Sequence, residues 1–457
     1  MTGFSAPFGI LVDVLAANLR ACEAMFSRVV TGVTTDTRTV LPGDLFVALA
    51  GETFDGHDFV EQAIAKGAIA VVVRRGALSE NAVPQLEVED TLTAYQSLGR
   101  WWRQYQAVPV VAITGSVGKT TTKEIVAAAL AQFGPVLKTE ANYNNEIGVP
   151  KTLLGLTPEH QYAVVEMGMR GPGEIALLTQ IAQPTVALIT NVGTAHIGRL
   201  GSRAAIAQAK CELLRELPAG GVAVLNHDDA RLMATAAKVW SGQQITYGLE
   251  GGDICGELSK AELLIEGVRI PLPLPGRHNA LNLLGAIATL KALGLDWHKL
   301  ASGLTVSMPA GRAQSHHLPD DILLLDETYN AGAESMGAAL QLLADQPGRR
   351  RIAVLGTMKE LGDRSVELHR HIGQTVADLE IDQLLTLADP AEADAMAAGA
   401  WGVVTQQFTS HAELAGYLKA QMQAGDRLLF KASRSVAMDK VVDQLLKDFM
   451  VTRSPVA

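Results

Sequence analysis

Between residues 110 and 124 a short apolar run gives way to Gly115-Ser-Val-Gly-Lys-Thr-Thr121 and then to a stretch of helical character. Glycines let backbone amides approach phosphate oxygens, and a helix N-terminus adds positive potential. Lys119 contributes a point charge, and the hydroxyl of Thr120, directly after it, suits Mg²⁺. The general phosphate-loop pattern has a glycine where Ile113 stands. Gly115 instead makes a tighter T-G-x-x-G-K-T form. These residues predict an ATP site.

Two further polar residues close apolar runs downstream. Glu166 ends Ala163-Val-Val-Glu, and His196 lies in the glycine-flanked stretch Thr190-Asn-Val-Gly-Thr-Ala-His-Ile-Gly198. Alone, each reads as a solvated or satisfied loop residue; following a phosphate loop, the two together read as Mg²⁺ ligands. Asn142-Tyr-Asn-Asn145 is amide-rich and also fits an Asx-turn. Asn279 and Asn282, three apart at a helix start, fit either an adenine edge or a helix cap. Lys210, on a helix candidate, reads from sequence alone as a solvated charge.

The elements that must position these residues follow an alternating pattern. Residues 44–49 and 68–73 read as strands with a helix over 59–66 between them, and 92–104 as a connecting helix. Beyond residue 108, strands at 162–166, 186–190 and 222–225 alternate with helices at 173–181 and 203–217. A proline-rich break follows, then a helix over 279–293. After Arg312, strands at 322–325, 352–355, 384–387 and 428–430 alternate with helices at 366–379, 412–422 and 436–449. Such alternation predicts parallel sheets with right-handed crossovers and ligands at the strands' carboxyl ends. The fold class is α/β in three domains: a small unit over 1–108, a phosphate-loop ATPase-like unit over 109–311 and a Rossmann-like unit over 312–457.

Composition sets the outer limits. A chain of 457 residues with 48% hydrophobic and 19% charged residues can bury a core in each unit. A net charge of −10 argues against a nucleic-acid partner. Cys22, Cys211 and Cys255 share no metal-ligand spacing, which predicts a reducing compartment. The first residues lack a basic leader pattern and no apolar run reaches membrane-spanning length, so the expectation is a cytoplasmic protein without a membrane partner.

The succession T-G-x-x-G-K-T, N-x-N-N-x-I-G-x-P, E-M-G, T-N-x-x-x-A-H, G-R-H-N-x-x-N and D-x-x-Y-N-A resembles the Mur ligases. Residues 354–362 with His369, and 431–434, extend the likeness over nearly the whole chain. The resemblance implies an ADP-forming ligase of peptidoglycan precursor synthesis that joins D-alanyl-D-alanine to UDP-N-acetylmuramoyl-tripeptide through an acyl phosphate, and a monomer. Gly115, Ser116, Val117, Gly118, Lys119, Thr120 and Thr121 would hold the ATP phosphates, with Thr120, Glu166 and His196 on Mg²⁺. Lys210 matches a family lysine that is carbamylated and supports a second magnesium. Asn279 and Asn282 would lie near the adenine, with Arg312 and Asp326 closing on the nucleotide. Thr35, Asp36, Thr37 and Arg38 resemble a segment that holds the UDP-sugar. Asn144, Asn145, Tyr329, Asn330, Lys431, Ser433 and Arg434 would face the peptide substrates or the reacting centre. The family's Asp-x-Tyr-Asn-Ala-Asn-Pro-x-Ser is here Asp326-Glu-Thr-Tyr-Asn-Ala-Gly-Ala-Glu-Ser335, which leaves Glu327 as the alternative to Asp326 at the ribose.

Overall fold

A computed structural model describes residues 3–20, 25–78 and 84–451. Cys22 lies outside the described residues. In the N-terminal unit, five strands run in the order Asn18–Arg20, Gln85–Val88, Ala70–Arg74, Asp44–Val47 and Gly32–Thr34, parallel except for the first. Alternation decides which face each side chain enters: Leu45, Val47, Ala70 and Val72 join the main core, while Phe46, Ala48, Val71 and Val73 form a separate cluster. The helix expected over 59–66 forms as Val60–Ala65, entered through a 3₁₀ turn, Gly56–Phe59, that Asp55 caps.

The helix Thr91–Gln106 ties this unit to the next. Asp90 caps it by accepting the Thr93 N–H at 2.6 Å. Farther along, the Trp102 indole donates to the Leu156 carbonyl at 3.0 Å and Arg103 Nε to the Ala182 carbonyl at 2.9 Å. Gly99 lies against Pro150 so closely that a Cβ there would stand 2.9 Å from the Pro150 Cα.

The middle unit is a seven-stranded, wholly parallel sheet. Its order is Ile254–Cys255, Gln244–Gly248, Val222–Asn226, Val186–Ile189, Val110–Thr114, Tyr162–Glu166, Val136–Lys138. Val110–Thr114 is buried throughout, sending Val110 and Ala112 to one core and Val111 and Ile113 to the other. The helices Lys119–Leu130 and Arg277–Ala292 pack together over the second face. The carboxyl ends of the central strands therefore bring Gly115, Met167 and Thr190 to one edge.

The helix read over 203–217 is two helices, Arg203–Lys210 and Glu212–Arg215, broken at Cys211. Beyond the proline-rich break's N-terminal side, Glu257–Ser259, Glu262–Ile265 and Val268–Pro271 form an antiparallel meander absent from the sequence reading. The C-terminal unit is a six-stranded sheet in the order Gln314–Leu318, Ile322–Asp326, Asp426–Lys431, Arg350–Gly356, Gln383–Leu387, Val404–Gln407, with only the first strand antiparallel. That first strand was also unanticipated, because its polar residues carry little apolar alternation.

Candidate active site

A cleft of about 960 Å³ opens between the middle and C-terminal units. Its walls include the phosphate loop from Ser116 to Thr121, Asn144, Asn145, Glu166, His196, Asn279, Asn282, Arg312, Tyr329, Asn330, Lys431, Ser433 and Arg434.

The phosphate loop is braced from the neighbouring strand end. Asn191 accepts the Val117 N–H at 3.0 Å through its side-chain oxygen and donates its amide to the Val117 carbonyl at 3.0 Å. Thr190 Oγ1 donates to the same carbonyl at 2.7 Å. A Cβ at position 115 would lie 1.8 Å from Thr190 Oγ1, so only glycine fits. Gly118, at φ +82°, starts the helix that opens with Lys119, and Asn282 Oδ1 would stand 2.9 Å from any Cβ on it. Asn282 also accepts from Thr122 Oγ1 at 3.0 Å, and Asn279 donates to the Pro275 carbonyl at 2.7 Å. These two amides thus brace the helix start as well as line the cleft.

Lys119 Nζ folds back to the Gly115 carbonyl at 2.9 Å. Burial pushes its ammonium below the ordinary lysine range, with Arg312 adding to the effect and Glu166 opposing it. Thr120 is buried beneath the loop.

Glu166 is 2% exposed. One oxygen accepts from Asn144 Nδ2 at 2.8 Å, while the other is buried with no hydrogen-bond partner among the described residues. A buried anionic oxygen left unpaired is costly, and beside a phosphate loop it fits a hard cation. Asn145 does different work: its side chain accepts the Gly148 N–H at 2.9 Å as an Asx-type cap. Among the described residues no three His, Cys, Asp or Glu side chains form a metal cage. Mg²⁺ commonly takes one or two carboxylates and completes its shell with substrate phosphates and water, so Glu166 and Thr120 fit that habit.

His196 stands at φ +65°. Its Nδ1 lies 2.6 Å from Glu360 Oε2 of the C-terminal unit, off the line of an ideal hydrogen bond. Contact with His196 holds the Glu360 carboxyl below its usual range. Close by, a Cβ on Gly198 would lie 2.5 Å from the Gly362 nitrogen, so the two units touch backbone to backbone.

Lys210 ends its helix at 1% exposure and is not among the residues that line the cleft. Among the described residues it has neither hydrogen-bond nor ion-pair partner. Burial drives its pKa well below the ordinary lysine value, and the charge of Lys119 pushes the same way.

From the C-terminal side, the Arg312 guanidinium sits 3.9 Å over the Tyr329 ring. Asp326, expected at the ribose, is not part of the cleft wall. Its carboxylate accepts from Thr328 N at 3.0 Å and Oγ1 at 2.7 Å, closing its own turn. Glu327 lines the cleft instead, 3.6 Å from Lys431 Nζ. Lys431 is buried, donates to the Asn330 carbonyl at 3.1 Å, and is pushed down by burial. Ser433 Oγ accepts the Lys359 N–H at 2.9 Å, and Arg434 pairs with Asp439 at 2.8 Å.

The segment from Thr35 to Arg38 stands apart from the cleft wall. Arg38 pairs with Asp36 at 2.7 Å and holds its carboxyl down to about 2. Thr37 Oγ1 donates to Gln62 at 2.9 Å, and Thr35 is half-buried. The fields of Lys151 and Tyr143 reach Asp36 and Arg38 respectively, so this segment faces the middle unit.

Glu334, which lines the cleft and accepts the Thr194 N–H at 2.7 Å, and Glu360 carry no assigned role in the sequence, and Thr190 and Asn191 no specific one. The glycine-rich stretch around His196 was the available signal for Asn191. Nothing local marked the two glutamates, which act on partners far away in the chain.

The chain matches the Mur ligase family catalytic domain over residues 29–102, the Mur ligase middle domain over 113–290 and the Mur ligase glutamate ligase domain over 311–434. It is 57% identical over 421 residues to the UDP-N-acetylmuramoyl-tripeptide–D-alanyl-D-alanine ligase of Synechocystis, covering 92% of each chain. Its structure is similar to that of MurF from Acinetobacter baumannii, with a TM-score of 0.89, 33% identity, and 98% and 100% of the two chains covered. The MurF ligase of Thermotoga maritima in complex with ADP superposes with a TM-score of 0.82 at 30% identity, covering 92% of this chain and 98% of that one. With a braced phosphate loop, an unpaired buried carboxylate oxygen beside it and these matches along its length, the chain belongs to the Mur ligase family.

Proposed function

We propose that the protein joins D-alanyl-D-alanine to UDP-N-acetylmuramoyl-tripeptide, converting ATP to ADP and phosphate. The unpaired Glu166 oxygen beside Lys119 is the observation that carries this reading furthest. Thr120 and Glu166 hold Mg²⁺, which neutralises charge on the phosphates. Lys119 leaves its carbonyl contacts to meet the β- and γ-phosphate oxygens. Glu327, on the cleft wall, takes the ribose in place of Asp326, while Asn279 and Asn282 lie at the adenine and Arg312 closes over the nucleotide.

A carboxylate of the tripeptide attacks the γ-phosphorus, giving an acyl phosphate and ADP. The D-alanyl-D-alanine amine then adds to the acyl carbon, and phosphate departs from the tetrahedral intermediate as the peptide bond forms. Asn144, Lys431, Ser433 and Arg434 orient the reacting ends, and the 35–38 segment holds the UDP-sugar. Charge-stabilising groups fixed before reaction lower the barrier more than mobile ones.

His196 completes the metal binding of Thr120 and Glu166, and Lys210 reacts with CO₂ to give a carbamate that supports a second magnesium. Only the neutral amine undergoes this reaction, and the depressed pKa of Lys210 favours that form. The protein acts as a monomer in this reading, and dependence on ATP and a UDP-linked substrate supports a cytoplasmic location.

Phosphate release is measured with UDP-N-acetylmuramoyl-tripeptide and D-alanyl-D-alanine, single amino acids or no acceptor. Release only with the dipeptide and the UDP-substrate together is expected. Equal release without an acceptor would mark an ATPase that makes no bond and would sink the ligase reading.

A further inference from the structure

Two carboxylates of the C-terminal unit cross the seam to the loop that carries His196. Glu334 accepts the Thr194 N–H at 2.7 Å and its hydroxyl at 2.9 Å. Glu360 places Oε2 2.6 Å from His196 Nδ1 and Oε1 3.3 Å from Arg199 Nη2, while its carbonyl accepts the Gly198 N–H at 3.1 Å.

Glu360 is itself held in place. It occupies the left-handed region at φ +64°, which a non-glycine residue adopts only when its surroundings impose it. The preceding residues supply that constraint: the Met358 N–H donates to the buried His369 Nε2 at 2.9 Å, and the Lys359 N–H to Ser433 Oγ at 2.9 Å. A carboxylate so fixed is more than a casual surface partner.

A neutral imidazole carries one proton. A carboxylate at Nδ1 keeps the proton there and leaves the Nε2 lone pair for a cation. We propose that Glu360 is the positioning residue for His196, selecting the tautomer that can ligate a cation. His196 belongs to the middle unit and Glu360 to the C-terminal unit. The ligating form is therefore selected only when the two units dock. The off-line geometry is the resting arrangement, and it tightens when a cation draws on Nε2. This inference rests on the reading of His196 as a metal ligand.

The test uses the full chain labelled with ¹⁵N-histidine, without substrates or metal, and reads the His196 tautomer from long-range ¹H–¹⁵N correlations assigned with His196→Gln. Wild type is expected to show Nδ1–H, Glu360→Ala to lose that preference, and Glu334→Ala to keep it. Mn²⁺ binding in the presence of ADP is then followed by electron paramagnetic resonance. It is expected to weaken by about 10–100-fold in Glu360→Ala. If that variant does not fold, Glu360→Gln keeps the shape without the charge and is expected to weaken Mn²⁺ binding several-fold. An unchanged tautomer in Glu360→Ala, or loss of preference equally in Glu334→Ala, overturns the inference. So does Mn²⁺ affinity within about twofold of wild type in every Glu360 variant that folds. Mn²⁺ binding untouched by His196→Gln removes the metal-ligand reading beneath it. Neither readout involves the peptide substrates, so failure of the ligase reading appears separately, as phosphate release indifferent to D-alanyl-D-alanine.

Discussion

Burying a lysine without a partner destabilises the fold unless the amine sheds its proton, and Lys210 is buried in that way. Its retention in the interior points to chemistry rather than packing. Lys210→Met is accordingly expected to raise the unfolding free energy by about 1–3 kcal/mol, seen as a higher Tm, while abolishing ligation. Lys210→Ala is expected to be severely impaired, with activity partly restored by short carboxylates that fill the vacated space and supply an anionic oxygen. A fully active Lys210→Ala variant would refute the carbamate assignment.

Elements place residues, and the phosphate loop shows how tightly. The would-be Cβ of residue 115 falls 1.8 Å from Thr190 Oγ1, so Gly115→Ala must displace either the loop or Thr190. The expected result is at least tenfold weaker ADP binding by calorimetry, about 1.4 kcal/mol, with the fold retained by circular dichroism. A second element-level prediction concerns the buried His369, which as a neutral ring accepts the Met358 N–H through Nε2 and contacts the Ser365 carbonyl through Nδ1 at 2.7 Å. Burial lowers its pKa from 6.5. The unfolded chain then binds more protons than the folded one, so the contribution is full above pH 6.5 and is lost as pH falls through it toward the folded value. Denaturant midpoints at about pH 7.5 and about pH 5.5 should differ more in wild type than in His369→Gln. Equal differences would remove His369 as the cause.

Much of this element scale was legible in the chain. Val110–Thr114 and the 352–355 stretch of the strand Arg350–Gly356 are buried on both faces, so they announce themselves as continuous apolar runs. Glycine and lysine at fixed spacing likewise announce the phosphate loop. The edge strand Gln314–Leu318 was not legible, since a strand with one open side need not be apolar. Nor was the orientation of Asp326 against Glu327, because neighbouring residues in a turn point apart by amounts that only the closed turn decides. Glu334 was least legible of all: it meets Thr194 across 140 residues of chain.

At the scale of the whole molecule, the binding work is divided between units. Asp36 and Arg38 lie in the N-terminal unit, away from the nucleotide cleft. Arg38→Ala is expected to raise the KM for the UDP-substrate at least about tenfold, while that for ATP moves less than about twofold. If Arg38 serves only as the exposed partner of Asp36, neither KM changes. An equal rise in both constants would contradict the division of labour.

The meeting of Gly198 with Gly362 has a consequence for engineering. Both positions lack a side chain because the backbones of two units occupy that space, with a Cβ on either falling under 3 Å from the other's backbone. The pair therefore acts as a compatibility gauge for exchanging parts between related enzymes. A hybrid that receives a foreign C-terminal unit can keep each half folded and still be inert if either half brings a methyl group to the junction. Gly198→Ala tests this in the native chain: scattering should report a more open particle in the presence of ATP and Mg²⁺, and ligation should fall while each substrate still binds its own unit. An unchanged particle with full turnover would show that the junction tolerates mismatch, leaving designers free to recombine the modules elsewhere.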